Sequence, residues 1–113
     1  MNKSKDSLGQ FEEIVLLAVL RLGDEAYGAR VRQLVQETTE RTTSIGAVYA
    51  TLERLERKGL VSSRQGEATP ERGGRAKRYI RIEGAGVQAL NATRAVRNRL
   101  EVGLSWSPKP TEA

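Results

Sequence analysis

The fold is decided by the stretch Ser44-Ile45-Gly46-Ala47-Val48-Tyr49-Ala50-Thr51-Leu52-Glu53-Arg54-Leu55-Glu56-Arg57-Lys58-Gly59. Four of its apolar residues recur at helical spacing and form one face: Ile45, Val48, Leu52 and Leu55. Ser44 is a favourable N-cap and Gly59 is a favourable stop signal, so a helix is predicted between them. The opposite face of this helix is small or basic and consists of Ala47, Ala50, Arg54 and Arg57, with Gly46 on its flank.

A helix is also predicted near the start of the chain, over Phe11 to Leu22. Ser7 as N-cap and Gln10 at position N3 fit a capping box ahead of it. The central run Ile14–Leu20 is apolar nearly all round, which indicates deep burial. That buried wall serves either the domain's own core or a partner subunit, and both alternatives stay open. Gly23 follows as the stop signal.

Between these two helices, another helix is predicted from near Glu25–Tyr27 to about Glu37. One apolar stripe runs along it, formed by Tyr27, Val31, Leu34 and Val35. Residues 38–43 are polar and β-branched, which disfavours further helix. They predict a turn, with one short strand as an alternative.

A β-hairpin is predicted after the third helix. Its strands are expected over Leu60–Glu67 and Lys77–Ile82, and the Pro and paired Gly within residues 68–76 indicate a long tip loop. A last helix is predicted from about Gly86 to about Leu104. Its apolar stripe is weak and it carries several arginines, so we expect it to find part of its burial in another subunit.

This order of elements indicates a mainly α protein with a small β-hairpin, namely a winged helix-turn-helix followed by a C-terminal dimerisation helix. The length of 113 residues fits one domain. We expect a disordered segment over 1–6, the winged helix-turn-helix over 7–83, the dimerisation helix over 84–105 and a flexible tail over 106–113.

The positive charge is concentrated in a quarter of the chain. The net charge is +5, from 19 Lys and Arg against 14 Asp and Glu. Residues 54–81 hold nine basic and three acidic residues and so carry +6, whereas the other 85 residues together carry −1. Residues 72–81 contain no acid at all. An excess localised in this way favours a polyanionic partner.

The composition argues against catalysis, metal binding and a membrane span. The chain has no Cys and no His, which removes thiol catalysis, thiolate zinc sites and the commonest general acid–base. We therefore predict no catalytic residue, no metal site and no cofactor. The longest apolar run, Ile14–Leu20, is seven residues long, too short for a bilayer. No signal-peptide pattern opens the chain, so a cytoplasmic location is expected.

The third helix is suited to entering a DNA major groove. Gly46, Ala47 and Ala50 add little bulk, so the helix can approach base edges, and either alanine can touch a thymine methyl. Arg54 can reach guanine or phosphate, and the capped helix start at Ser44 favours a phosphate. The hairpin is the second element, with basic side chains expected along the DNA backbone or in a narrow minor groove: Arg72, Arg75, Lys77, Arg78 and Arg81.

The sequence resembles the PadR family of bacterial transcriptional regulators, in its short form, over about residues 8–100. The matching segments are Ala26-Tyr27-Gly28, Ser44-Ile45-Gly46-Ala47-Val48-Tyr49, Leu52 to Val61, Arg75 to Ile82, and Gly86 with Leu90. The resemblance implies a homodimeric winged helix that binds an inverted repeat in promoter DNA, usually as a repressor. Two departures stand out: Ile45 replaces a frequent Pro, and Glu83 replaces the usual capping Thr.

Geometry and resemblance together predict the functional residues. Geometry predicts contacts to double-stranded DNA at Ser44, Gly46, Ala47, Ala50, Arg54, Arg72, Arg75, Lys77 and Arg78, and the resemblance implies further contacts at Tyr27, Gly28 and Tyr49. The resemblance places the dimer interface between the first and last helices, at Leu8, Phe11, Val15, Val96, Leu100 and Leu104. Some short members bind planar drugs between Trp residues in the middle of the last helix, where this chain has Val96 and Arg97. Trp106 is therefore expected to pack across the dimer or on the tail, and a small-molecule effector of other chemistry stays open.

Two other classes of function remain as alternatives. A winged helix can bind proteins, and an acidic protein partner would meet the same basic hairpin. An enzyme is the least favoured interpretation because the chain offers no evident nucleophile or base. The predicted function is a sequence-specific DNA-binding regulator that acts as a homodimer, with the protein-interaction module as the alternative.

Overall fold

The computed structural model of the chain describes residues 8–66 and 77–106. A short 3-10 turn, Gly23–Glu25, lies between the first two helices. The other elements are α1 Gln10–Leu22, α2 Gly28–Thr39, α3 Ile45–Arg57, β1 Val61–Gln65, β2 Arg78–Ile82 and α4 Gly84–Glu101. Their order and the antiparallel pairing of the two strands confirm the predicted winged helix-turn-helix with a C-terminal helix.

The start of α1 differs from the prediction. Gly9 occupies the N-cap, and Gln10 is the first helical residue and not the third. The Glu12 carboxylate accepts a hydrogen bond from the Gly9 N–H over 2.9 Å, so the acid three residues into the helix reaches back to the cap. The predicted capping box of Ser7 and Gln10 is therefore wrong, and Ser7 itself lies outside the described residues.

The start of α2 lies later than predicted because Ala26 and Tyr27 are extended and pair with the hairpin. The Ile80 N–H donates to the Ala26 carbonyl over 2.7 Å. Tyr27 forms an isolated antiparallel bridge with Tyr79. This pairing ties the loop before α2 to β2, a contact that local sequence signals do not reveal.

The turn between α2 and α3 follows Thr39, two residues beyond the predicted helix end, and contains no strand. Glu40 adopts a left-handed φ of 57° and ends the helix. The Gln36 side-chain oxygen then accepts hydrogen bonds from the Thr43 N–H and the Arg32 guanidinium, each over 3.0 Å. These bonds brace the turn and so fix the direction in which α3 leaves it.

The third helix has the predicted boundaries. Ser44 Oγ accepts a hydrogen bond from the Ala47 N–H over 3.0 Å, which confirms the predicted N-cap. The helix ends at Arg57, and Gly59 takes a φ of 78° just beyond it. That left-handed conformation favours glycine, so the predicted stop is confirmed as well.

The hairpin strands are shorter than predicted. Val61 lies opposite Ile82 and Gln65 lies opposite Arg78. Ile80 is buried and its neighbour Arg81 is exposed, as the alternation of a strand requires. The tip loop predicted over residues 68–76 lies outside the described residues.

The core is formed by α1, α2, α3, the hairpin and the start of α4. Its members are at most 8% exposed: Val15, Leu16, Ala18, Val19, Ala26, Val31, Val35, Val48, Leu52, Leu55, Leu60, Val61, Ile80 and Leu90. Val15 was predicted at a dimer interface, but its side chain is 0% exposed within the protomer. It is a core residue and leaves no surface for that contact.

The last helix, α4, has its buried residues in its first half and is mostly exposed beyond them. It starts two residues before the predicted Gly86 and ends at Glu101, before the predicted Leu104. A Cβ at Gly86 would come within 2.7 Å of Ile82 Cγ1, so the helix start lies directly on the hairpin. Beyond the buried Leu90, exposed apolar side chains follow: Val96, Leu100, Val102, Leu104 and Trp106.

Candidate DNA-binding surface

The outward face of α3 is small and uncovered. Gly46, Ala47 and Ala50 are exposed there. The face toward the core is formed by Val48, Thr51, Leu52 and Leu55, as predicted except at one end. Ile45 was predicted on the buried face but is 39% exposed, because it lies in the first turn before the helix meets the core. The N-terminal half of α3 can therefore approach a base edge without a long side chain in between.

Tyr49 lies across the start of α2. A Cβ added to Gly28 would lie 2.7 Å from Tyr49 Cζ and 2.8 Å from its hydroxyl oxygen. Such distances are too short for any side chain at Gly28, so the tyrosine packs directly on the α2 backbone. Tyr49 nevertheless remains 48% exposed. Two predicted DNA contacts are thus neighbours in space.

A cleft of about 160 Å³ joins α2, α3 and the hairpin. It is lined by Gly28, Tyr49, Leu52, Glu53, Glu56, Arg78 and Ile80. Three residues that the sequence predicted at DNA, from three different elements, therefore meet at one place: Gly28, Tyr49 and Arg78.

The guanidinium of Arg54 is held by the protein. Its Nε lies 3.5 Å from the Glu12 carboxylate, and its Nη2 donates to Thr51 Oγ1 over 3.1 Å. The side chain is still 46% exposed. A DNA contact by Arg54 would therefore compete with its ion pair to Glu12.

Glu12 is a buried carboxylate that sequence reasoning missed. It is 7% exposed, and its two oxygens accept from Lys58 Nζ over 2.9 and 3.0 Å. Burial alone would raise the pKa of Glu12, but the Gly9 N–H, the Lys58 ammonium and Arg54 together hold the pKa of this carboxyl below its usual value. Glu12 thereby joins the start of α1 to the end of α3. The residues are 46 positions apart, so no local signal marks the pair.

Two tyrosine rings and two cations cluster at the end of the paired strands that lies next to the loop. The Tyr27 and Tyr79 rings meet edge to face, with centroids 5.6 Å apart and planes at 78°. Lys77 Nζ lies 3.6 Å from the Tyr27 ring centroid, and Arg64 lies 4.9 Å from that of Tyr79. Contacts of this kind contribute about 0.5–1 kcal/mol at exposed sites. Arg64 was not predicted as a site residue, because its place opposite Tyr79 follows from the strand register, which the structure and not the sequence provides.

The remaining predicted hairpin cations are exposed or undescribed. The Arg78 side chain is 63% exposed and lies 3.9 Å from Glu56, a weak surface pair. Arg81 is exposed as well. Arg72 and Arg75 lie outside the described residues, so their place at DNA stays a prediction.

The residues predicted for dimer contact fall into three groups. Val15 is a core residue. Leu8 and Phe11 are half-buried against the core at the start of α1. Those on or just beyond the second half of α4 are open, with exposures of 48% for Val96, 73% for Leu100 and 60% for Leu104.

Two further properties concern residues 8–66 and 77–106 alone. Within them, no three His, Cys, Asp or Glu side chains form a group that would hold a metal ion. Within the same ranges, none of the helices combines the length and the apolar character needed to cross a membrane.

Comparison with known proteins identifies the family. The sequence profile of the transcriptional regulator PadR-like family matches residues 16–92, more than half of the chain. Among curated proteins, none matches the chain in sequence.

Several solved structures share the fold. A PadR-like transcription factor from Bacteroides fragilis is 25% identical with a TM-score of 0.69, over 83% of this chain and 85% of that one. A PadR family transcription regulator from Clostridium difficile is 21% identical with a TM-score of 0.62, over 81% of this chain and 92% of that one. The ORC1 protein of Aeropyrum pernix, solved in complex with DNA, is 20% identical with a TM-score of 0.63, over 86% of this chain and 27% of that one.

The family profile and the fold agree with the exposed, capped α3 beside a basic hairpin. The family consists of DNA-binding transcription regulators and not of enzymes, which confirms the predicted class of function. The chain belongs to the PadR-like family of transcriptional regulators.

Proposed function

We propose that this protein is a repressor that acts as a homodimer on an inverted-repeat operator. The observation that carries the proposal is the exposed small face of α3, which starts at a capped N-terminus, together with the basic hairpin beside the C-terminal half of the same helix. In this account, Gly46, Ala47 and Ala50 face the base edges in the major groove. The hairpin cations contact phosphates, which position the protein without reading sequence: Lys77 and Arg78, together with Arg72 and Arg75.

The homodimer is supported by the uncovered half of α4. Leu100 is 73% exposed and Leu104 is 60% exposed, and burial of such surface contributes about 25 cal/mol per Å². In a two-fold dimer the exposed strip of Val96, Leu100 and Leu104 meets its own copy. The two copies of α3 would then read half-sites about one helical turn apart.

Repression is proposed because occupancy of promoter DNA is enough to block transcription, and the described surface provides for occupancy. The place of action is then the compartment that holds the DNA, the cytoplasm. The open half of α4 also leaves room for a small-molecule effector between two protomers, without fixing its chemistry.

The experiment is selection followed by titration. The purified protein is mixed with duplexes that carry a randomised central segment, and the enriched duplex is titrated by fluorescence anisotropy at several salt concentrations. We expect an inverted repeat to be enriched, and we expect log affinity to fall against log salt with a slope of roughly −0.9 per phosphate contacted. Analytical ultracentrifugation should find two chains per duplex.

Two outcomes would contradict the proposal. One is a flat salt response, which would exclude phosphate contacts. The other is the absence of any enriched duplex, combined with stoichiometric capture of an acidic protein, which would favour the protein-interaction module.

A further inference from the structure

Two successive carboxylates at the start of α1 connect the two helices that matter most for DNA binding. Glu12 accepts from Lys58 Nζ over 2.9 and 3.0 Å, at the end of α3. Glu13 accepts from Arg97 Nη2 over 2.7 Å, on α4. Successive helical residues point about 100° apart, so one turn of α1 can hold a different helix with each carboxylate.

The second of these contacts lies where α4 leaves the body of the protomer. Leu90 is the last buried residue of α4, and Arg97 lies two turns beyond it. Among the described residues, Arg97 is the one farthest along α4 that hydrogen-bonds to another helix. The Arg97 side chain is 57% exposed, whereas that of Glu13 is 17% exposed. An exposed pair of this kind contributes about 0–1 kcal/mol, and here it links α4 to α1 beyond the last buried residue of α4.

We propose that Glu12 and Glu13 are positioning residues that together fix the angle between α3 and α4, and thereby set the half-site spacing that the dimer reads. The inference rests on the proposed function, because it takes α3 as the helix in the groove and α4 as the dimer helix. In a two-fold dimer the separation of the two α3 copies follows from the orientation of each α3 relative to its own α4. A change in the tilt of α4 at the Glu13–Arg97 contact therefore changes where each α3 meets its half-site.

The test is a charge reversal and its rescue. Glu13→Arg, Arg97→Glu and the double variant are titrated by fluorescence anisotropy with the inverted-repeat duplex that the wild-type protein enriches. A series of duplexes is used in which base pairs are added or removed between the half-sites, along with a duplex holding one half-site. Glu25→Gln, an exposed acid in the 3-10 turn, is the control for loss of a negative charge.

We expect each single variant to lose at least about fivefold in affinity at the wild-type spacing and to prefer a shifted or broader range of spacings. The double variant should recover the wild-type spacing profile. Because it retains Arg at position 13, this recovery separates the ion pair from any effect of a cation on the α1 dipole. Affinity for one half-site should stay unchanged, since α3 itself is intact.

A second variant tests the other carboxylate. Glu12→Gln keeps the acceptor for the Gly9 N–H but removes the charge that holds Lys58. It should broaden the spacing preference as well, at temperatures where circular dichroism shows it folded. A lower melting temperature with an unchanged spacing profile would mean that Glu12 is merely structural, and would overturn its part of the inference.

The two levels of failure are distinguishable. If folded, dimeric Glu13→Arg retains the wild-type spacing profile, or if the double variant does not recover it, the inference is overturned while the proposed function stands. If the wild-type protein enriches no duplex, the proposed function is overturned and the inference with it.

Discussion

Gly28 and Tyr49 lie on different helices, and the position of the Tyr49 ring limits which residue fits at position 28. The tyrosine ring occupies the space in which any side chain at Gly28 would lie. We expect Gly28→Ala to destabilise the protein by about 1 kcal/mol, the low end of the cost of overpacking, because the ring must shift but is 48% exposed. Urea unfolding measures this loss.

The matched control for that prediction is the same substitution in a Tyr49→Ala background. There the three atoms nearest to the added methyl are gone, and alanine is a better helix former than glycine. The cost should fall to near zero or change sign. An equal cost in both backgrounds would contradict the contact.

At the same scale, the lowered pKa of Glu12 predicts that the free energy of unfolding depends on pH. The pKa of Glu12 is lowered in the folded protein by the Gly9 N–H, Lys58 and Arg54, against the opposing effect of burial. The stabilisation is therefore present above the unfolded pKa of about 4.3 and is lost as pH falls through the lower folded value. Glu12→Gln should be less stable by about 1–3 kcal/mol at neutral pH.

The difference between wild type and Glu12→Gln should shrink as the pH is lowered, because protonation removes the same charge from the wild type. Chemical unfolding at a series of pH values measures it. Glu25→Gln, which changes an exposed acid, is the control for the loss of one negative charge. A constant difference from neutral to acid pH would contradict the role of the ionised carboxylate.

Residue-scale predictability depends on sequence distance. Ser44 and Gly59 act on their own helix, so composition and spacing predict both caps, and both are confirmed. Glu12 acts on Lys58, which is 46 positions away, and the Tyr49 ring acts on a different helix. Such contacts depend on how helices pack, and a single sequence carries no signal for them.

At the scale of elements, the hairpin carries cations and a tyrosine pair near the loop end of its paired strands. The Tyr27–Tyr79 contact joins the segment before α2 to β2, and Lys77 and Arg64 lie over the two rings. Arg75→Ala with Arg78→Ala should weaken binding to all duplexes about equally and reduce the salt slope by roughly 1 per arginine. Anisotropy titrations on the enriched duplex and on a scrambled one measure both.

The control is Arg21→Ala with Arg94→Ala, which removes the same charge from α1 and α4. It should leave both the salt slope and the affinity close to wild type. Loss of affinity on the enriched duplex alone would instead assign the hairpin to base readout and contradict a phosphate role.

Element boundaries were predictable where the signal was local. The limits of α3 follow from its cap and its stop. The start of α2 did not follow from local signals, because Ala26 and Tyr27 pair with β2 and stay extended. The predicted capping box of α1 is wrong because Glu12, and not Gln10, accepts the hydrogen bond from the N-cap residue. Glu12 also binds Lys58, a contact that depends on the tertiary fold.

At the scale of the whole molecule, the exposed apolar residues in the second half of α4 lead us to expect a homodimer. Leu100→Glu should place a charge in the proposed two-fold interface, yield a monomer in analytical ultracentrifugation, and reduce affinity for the inverted repeat on the order of 100-fold through loss of bivalent binding. Gln88→Glu adds the same charge to the first half of α4 and should leave the dimer intact. A dimeric Leu100→Glu would contradict the proposed interface.

The winged helix itself was predictable from the order of elements, since apolar spacing, turn residues and the hairpin are all visible in one sequence. The proposed site was predictable in part, because the exposed small face of α3 and the cations of the hairpin are sequence properties. The convergence of Gly28, Tyr49 and Arg78 on one cleft was not, because it depends on three elements meeting.

The most direct test of the central claim, that α3 reads DNA, is the affinity of Ala50→Glu for the enriched duplex. Ala50 is exposed on the small face of α3, and a glutamate there would clash with the groove and repel phosphates. Ala85→Glu makes the same substitution at an exposed position in the first turn of α4. Specific binding should be abolished in Ala50→Glu and retained in Ala85→Glu, with both proteins folded. Wild-type affinity in Ala50→Glu would contradict the account.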